Sequence, residues 1–259
     1  MSSPITTELV KELRDATGIS VMQCRRALVE AEGDMNKALA ILKKTSSDIA
    51  LKKADRETKD GAVMIKEADG KSILVSLHCE TDFVSRNEDF TSLLAKLADK
   101  ALSEGVEAMK SGAKELIDPI IQKTGENIEL GEVYEVDGSV IGSYVHNNKI
   151  GVIVSIEGGN KELARDVAMH TAAMKPEYIS LTDVDENIKN TMTEVFQKEV
   201  ASIDKPEEIK QKMLQGKLST YFKEKTLLEQ PFIKNGDETV GKLLEKAGAK
   251  IKEVKRYSI

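Results

Sequence analysis

The sequence predicts an α+β fold, in which a helical N-terminal module precedes two repeated subdomains that combine strands with helices. Apolar residues recur at helical spacing through residues 1–44. Farther along the chain, short runs alternate apolar with polar residues, as strands do. Two of these runs begin segments that resemble each other. At 259 residues the chain is long enough for two or three domains.

Residues 1–44 are predicted to form three short helices. The first is expected to end at Gly18, while Ser20 and Asp34 are suited to cap the second and third. Such a module is typical of recognition rather than catalysis. The mixed-charge residues 45–60 are predicted to form a linker, in part helical, with too little apolar content to hold the module against the rest.

The remainder of the chain contains a diverged internal repeat. Residues 73–77 (Ile-Leu-Val-Ser-Leu) match residues 152–156 (Val-Ile-Val-Ser-Ile), and an amphipathic helical pattern follows each copy. A second pair of matching segments, residues 117–128 and 240–251, has a larger offset. The second copy therefore carries an insertion.

This repeat predicts core subdomains at residues 61–140 and 141–259. The insertion is placed at about residues 181–226, where two long helical patterns meet near Pro206. Because proline is favoured at the start of a helix, we expect an antiparallel helical hairpin here. The strand at residues 73–79 alternates apolar with less apolar residues and is expected to bury one face.

Composition excludes several function classes. The net charge is −6, from 38 Lys and Arg against 44 Asp and Glu, without the basic cluster of a nucleic-acid-binding protein. Neither an export signal nor a run of about 18 apolar residues occurs, so a cytoplasmic protein without membrane contact is expected. Cys24 and Cys79 lack the spacing of a disulfide framework or a zinc site. Phosphate-binding glycine motifs are absent from the sequence, so the chain itself is expected to bind no nucleotide, and no cofactor is predicted.

Reactive side chains are concentrated in residues 78–88. His78 and Cys79 are adjacent, so a strand would direct them to opposite faces, which favours a buried structural thiol over a nucleophile pair. A metal site formed by His78, Glu80 and Asp82 is the alternative, because the three would share a face. Acidic side chains on one face of a strand, without a closed set of N or S ligands, are more often exposed to solvent than bound to a metal. We therefore predict neither a catalytic residue nor a metal site.

Phe83 falls outside the apolar patterns on either side of it. The preceding strand ends near Cys79, and a capping box that begins at Ser85 predicts the next helix. Phe83 is thus expected in the connecting loop, beside Asp82. Two interpretations are open: the ring folds back onto the core, or it is an anchor for a protein partner.

Several motifs resemble the elongation factor Ts family. Residues 13–18 (Leu-Arg-Asp-Ala-Thr-Gly) and 22–28 are similar to its N-terminal signature, and residues 79–84 (Cys-Glu-Thr-Asp-Phe-Val) to its core signature. The resemblance spans essentially the whole chain and includes residues 125–128, 142–146, 169–176, 230–232 and 239–241. Two positions depart from the family pattern: His78 replaces the usual Asn, and Arg25 the usual Lys.

The resemblance implies a guanine-nucleotide exchange factor for the translational GTPase elongation factor Tu, acting without covalent chemistry. It implies an N-terminal module like a ubiquitin-associated domain, a core that disturbs the partner's Mg²⁺ site, and a homodimer through the hairpin. The implied contact residues are Leu13, Val21, Met22 and Arg25 in the module, Thr81, Asp82, Phe83 and Val84 in the core, and His146 and Ile233 in the second subdomain.

Alternatives remain at three points. Leu13 could serve helix packing, and the apolar faces of the hairpin could pack against each other. The first 44 residues alone would also suit a ubiquitin-associated-like, protein-binding scaffold without exchange activity. The segment Thr81 to Val84 distinguishes the two functions, because a scaffold would not require it.

Overall fold

Runs of helices and runs of strands follow one another along residues 5–259, the part of the chain that the computed structural model describes, and the predicted mixed α and β class is confirmed. Two compact units divide the chain. The first contains the described residues up to Glu135 together with Asn147–Gly151 and Tyr257–Ile259. The second contains Val136–His146 and Val152–Arg256.

The first unit begins with three helices, and most of a three-stranded sheet and three further helices follow. Ser20 and Asp34 cap the second and third helices as predicted, because each side chain accepts a hydrogen bond from the backbone N–H three residues later. The elements are α1 (Thr7–Thr17), α2 (Val21–Glu30), α3 (Met35–Lys53), β1 (Asp60–Ala68), β2 (Lys71–Cys79), α4 (Asp82–Ser85), α5 (Glu88–Glu104), α6 (Val106–Thr124) and β3 (Ile128–Asp137).

Helix α3 continues into the segment that was predicted to be a linker, through Lys53. Its second half packs on α6, with Ser46 and Ala50 buried. Ser46 donates a hydrogen bond to Gln122, and the Ser47 hydroxyl donates to Asp118 Oδ2 at 2.7 Å. The expectation that this segment could not hold the N-terminal module was wrong, because small and polar side chains provide the contact that an apolar count misses.

Strand β2 is the central strand of the sheet β1-β2-β3 and is buried on both faces, contrary to the expectation of one. Ile73, Val75 and Leu77 face the apolar cluster formed with α5 and α6. On the opposite face Leu74 is also fully buried, and a Cβ added to Gly151 would lie 2.6 Å from its Cδ1. The second face is therefore covered by chain far away in sequence.

Helix α5 begins later than predicted. Its N-cap is Asn87, whose side chain accepts a hydrogen bond from Asp89 N–H at 2.8 Å. Ser85 instead belongs to the separate one-turn helix α4, and its hydroxyl donates to the backbone oxygen of Asp82 at 3.1 Å. The capping box expected at Ser85 is wrong because this extra turn intervenes.

The second unit contains most of a sheet with strand order β4-β5-β8, a two-stranded sheet and four helices. As in the first sheet, β1-β2-β3, the three strands lie side by side in the order in which they occur along the chain. The elements are β4 (Val140–His146), β5 (Ile150–Glu157), α7 (Lys161–Met174), α8 (Glu186–Ala201), α9 (Glu207–Lys225), β6 (Pro231–Phe232), β7 (Asn235–Thr239), α10 (Val240–Lys246) and β8 (Lys250–Ser258).

Helices α8 and α9 form a hairpin in the segment where the insertion was placed. They run antiparallel, because the Phe196 ring meets the Tyr221 ring at 5.5 Å, while Lys210 Nζ donates to the Ala201 oxygen at 3.1 Å. Some apolar side chains thus pack between the helices, whereas Ile188 is exposed. Dimer formation through the hairpin stays a prediction. Within residues 5–259, none of the helices combines the length and apolar character needed to cross a membrane.

Candidate partner-binding surface

Helix α4 exposes Phe83 while the second half of its single turn is buried. The Phe83 side chain is 84% exposed, and Asp82 beside it pairs with Arg86 at 3.3 Å. Val84 and Ser85 face inward. The interpretation in which the ring folds back onto the core is therefore wrong, since an aromatic ring this exposed gains little from burial within its own chain.

Two pairs of neighbouring residues cross-link the start of α4 to the corner between α6 and β3. The Glu126 carboxylate accepts hydrogen bonds from Thr81 N–H at 3.0 Å and from the Thr81 hydroxyl at 2.7 Å. In return, Glu80 Oε1 accepts from Asn127 N–H at 2.7 Å. This bond, assisted by Arg56, lowers the pKa of Glu80. Both carboxylates therefore hold backbone N–H groups, and hydrogen bonds to charged groups are among the stronger ones.

Lys149 holds the other end of α4. Its ammonium donates to Asp60 Oδ1 and to the Gly61 oxygen, both at 2.6 Å, and to the Ser85 hydroxyl at 3.4 Å. Burial raises the pKa of Asp60, but the hydrogen bonds from Lys149 and from Gly61 N–H outweigh it and lower that pKa overall. Asp60 is therefore a stable anion that orients the lysine. The one-turn helix is thus fixed at both ends without any contribution from Phe83.

Cys79 and His78 do not form a nucleophile pair. Cys79 is buried in the apolar cluster, and its thiol donates to the Thr81 oxygen at 3.2 Å. Burial raises the pKa of Cys79 to about 12, so the thiol is neutral near pH 7 and a poor nucleophile. His78 Nε2 instead lies 2.8 Å from the Tyr257 hydroxyl, and burial lowers the pKa of this imidazole.

The residues of the alternative metal site are engaged in other contacts. Glu80 holds Asn127 N–H, and Asp82 pairs with Arg86. In the part of the chain from residue 5 onward, no group of three or more His, Cys, Asp and Glu side chains is arranged to hold a metal ion. The arrangement around residues 78–82 is therefore one of structural hydrogen bonds.

In the N-terminal module, α2 presents an exposed face that includes Val21, Met22 and Arg25, with Met22 71% exposed. Leu13 differs, because it is fully buried in the core of the module. Its assignment as a contact residue is corrected: it supports the packing of the helices. Val29 was missed, although it is 58% exposed one turn beyond Arg25. The sequence indicated this exposure, because Val29 lies four residues after Arg25 on the same side of the helix and outside the buried apolar stripe.

In the second unit, both candidate residues are accessible. His146 is exposed at the end of β4, where its Nδ1 lies 3.1 Å from the Tyr144 hydroxyl. Ile233 is 47% exposed and lies in the turn between β6 and β7. The predicted residues of both units, apart from Leu13 and Val84, thus present side-chain surface, although that of Thr81 is partly buried.

Exposed apolar side chains such as Met22, Phe83 and Ile233, carried on helices and turns that the rest of the fold holds in place, are typical of the class of proteins that bind other proteins. A sequence model of the family described as Elongation factor TS matches residues 80–259. Proteins named Elongation factor Ts from Hahella chejuensis and Teredinibacter turnerae are each 40% identical to this chain over 98% of its length and 92% and 90% of theirs. One from Thioalkalivibrio sulfidiphilus is 38% identical over 98% and 92%. The chain belongs to the elongation factor Ts family, whose role is in translation elongation.

Proposed function

We propose that this protein is a guanine-nucleotide exchange factor that binds elongation factor Tu and accelerates GDP release, using Phe83 as the element that enters the GTPase. The observation that carries the proposal is the 84% exposure of Phe83 on a helix held at both ends. An aromatic anchor that is already oriented loses little conformational entropy on binding. Such residues dominate the binding energy of interfaces.

Exchange follows from the effect of the ring on the metal site of the partner. In GTPases, Mg²⁺ bridges phosphate oxygens and neutralises their charge, so displacing its protein ligands weakens nucleotide binding. Thr81 caps the turn that carries the ring, and Val84 is buried beneath that turn, so with Asp82 these residues set the direction in which the ring enters. Because coupling between two ligands is reciprocal, bound nucleotide weakens exchange-factor binding by the same factor. The factor therefore speeds exchange in both directions and leaves without covalent change, so it is not an enzyme.

Two further surfaces would hold the complex together. Val21, Met22 and Arg25, with Val29 beside them, offer an apolar face with positive charge for docking of the N-terminal module on the nucleotide-binding domain. His146 and Ile233 offer contacts to another domain of the GTPase. These docking surfaces supply affinity, and α4 supplies the disturbance of the nucleotide site.

The decisive experiment is release of fluorescent GDP from elongation factor Tu, followed with and without this protein. We expect a saturable increase in release rate and no binding of GDP to this chain alone, because it contains no phosphate-binding glycine motif. A complex that forms without faster release would support the scaffold alternative instead. Saturable GDP binding by the isolated chain would contradict the absence of a nucleotide site.

Glu126→Ala tests whether the fixed position of α4 matters. The substitution removes the acceptor for Thr81 N–H and hydroxyl, and hydrogen bonds to charged groups contribute about 1.5–3 kcal/mol. Without these hydrogen bonds α4 becomes more mobile and must be ordered when the partner binds. We therefore expect exchange efficiency to fall roughly tenfold while the protein stays folded. The readout is stimulated GDP release.

The matched control is Glu104→Ala, which removes an exposed carboxylate that pairs with Lys100 at 3.5 Å near the end of α5. Surface pairs of this kind contribute little, so this variant should match the wild type in release assay and melting temperature. Unchanged exchange in folded Glu126→Ala would show that the hydrogen bonds at the start of α4 do not serve the function.

A further inference from the structure

The turn that presents Ile233 lacks the backbone geometry that stabilises a two-residue hairpin turn. Phe232 pairs with Asn235, which leaves Ile233 and Lys234 as the two turn residues between β6 and β7. Two-residue hairpin turns favour positive φ at one or both central residues, because that geometry matches the strand twist. Ile233 and Lys234 both have negative φ. Contacts from outside the hairpin must therefore help to hold this backbone.

Helix α7 provides these contacts from one face. His170 Nδ1 accepts a hydrogen bond from the backbone N–H of Ile233 at 3.2 Å. Asp166 Oδ1 accepts one from Lys234 Nζ at 2.6 Å. Residues four apart on a helix lie on the same side, so one face of α7 holds both turn residues. The Phe232 ring completes the contact, buried 6.0 Å from the imidazole.

The hydrogen bonds assign the tautomer of His170. Because the Ile233 N–H is a donor, Nδ1 is the unprotonated acceptor and the proton resides on Nε2. Nε2 then donates to Gln230 Oε1 at 2.9 Å, and the Gln230 amide donates in turn to the Glu224 oxygen at 2.6 Å. His170 and Gln230 are both buried, and burial lowers the pKa of His170, which keeps it neutral. Both ring nitrogens are thus committed.

We propose that His170 is a positioning residue that fixes the backbone of Ile233, so that the exposed Ile233 side chain is presented to a protein partner in one orientation. The inference rests on the proposed function, in which Ile233 contacts elongation factor Tu. A buried imidazole that only filled space would not require an acceptor at Nδ1. The two ring nitrogens can therefore be tested separately.

The test compares two isosteres in the full-length protein. In His170→Asn, the side-chain oxygen can take the place of Nδ1 and accept from Ile233 N–H. In His170→Gln, the amide reaches toward Gln230 but leaves Ile233 N–H without its acceptor. Hydrogen exchange of the Ile233 amide should be roughly tenfold faster in His170→Gln than in the wild type. In His170→Asn it should stay within about threefold.

Stimulated GDP release adds a functional readout. For His170→Gln we expect a concentration of half-maximal stimulation roughly five- to tenfold higher, because a mobile turn must be ordered on binding, with an unchanged maximal rate. His170→Asn should restore most of the affinity. Equal losses in both variants, in step with equal drops in melting temperature, would reduce His170 to a packing residue and overturn the proposal.

A measurement on the wild type keeps the proposal open to refutation if either variant folds poorly. Imidazole ¹⁵N chemical shifts distinguish the two neutral tautomers, and we expect His170 to carry its proton on Nε2. A proton on Nδ1 would overturn the proposal, because that nitrogen could not accept from Ile233. If wild-type protein failed to stimulate GDP release, the proposed function would fail, while amide exchange and tautomer would still decide whether His170 fixes the turn.

Discussion

Phe83→Ala is expected to lower stimulated GDP release about 30-fold to 1,000-fold without lowering the melting temperature. The ring is 84% exposed, so its removal leaves no cavity in the core. As an interface anchor, its loss would cost about 2–4 kcal/mol of coupling to the partner, which corresponds to that range of rates. Release kinetics and thermal melting should be measured on the same preparation.

Phe90→Ala provides the opposite control with the same change in side chain. Phe90 is fully buried in the cluster beneath β2, and truncation of a buried Phe costs about 3–5 kcal/mol of stability. Its melting temperature should drop sharply, while exchange per folded molecule stays near the wild-type value. If Phe83→Ala behaved like Phe90→Ala, with lost stability and normal exchange, Phe83 would not be the element that enters the GTPase.

Gly142→Ala is expected to destabilise the second unit by about 3 kcal/mol, near the upper end for added core volume. At Gly142, α7 packs so closely on β4 that a Cβ would lie 2.1 Å from the backbone nitrogen of Arg165. A backbone atom cannot rotate away as a flexible side chain can, so the helix itself must move. Denaturant unfolding monitored by circular dichroism measures the loss.

Gly216→Ala is the matched control. Gly216 lies in the exposed α9 helix, and a Cβ there meets nothing within 4 Å. Alanine is favoured over glycine in helices by about 1 kcal/mol, so this variant should be slightly more stable than the wild type. Equal unfolding midpoints for the two variants would show that α7 can yield at Gly142 without cost. Because α7 also carries His170, destabilisation at Gly142 should weaken partner binding as well.

Local sequence patterns determined the mixed fold class, the helix caps at Ser20 and Asp34, and the exceptional position of Phe83. These features depend on the spacing of apolar residues and on hydrogen bonds between residues three or four apart, so they can be predicted from short segments of sequence. The internal repeat was likewise visible as similarity between residues 73–77 and 152–156. For such features no knowledge of distant neighbours is needed.

Tertiary structure alone decided how these elements are held. Thr81 and Glu126 form a hydrogen bond although 45 residues separate them, and Ser46 and Gln122 do so across 76 residues. Contacts over such separations produce no periodic pattern in the sequence. The burial of Leu13 illustrates the same limit. An apolar residue gives the same sequence pattern on a helix whether it faces a core or a partner. Only the packing of neighbouring elements shows that Leu13 is inaccessible.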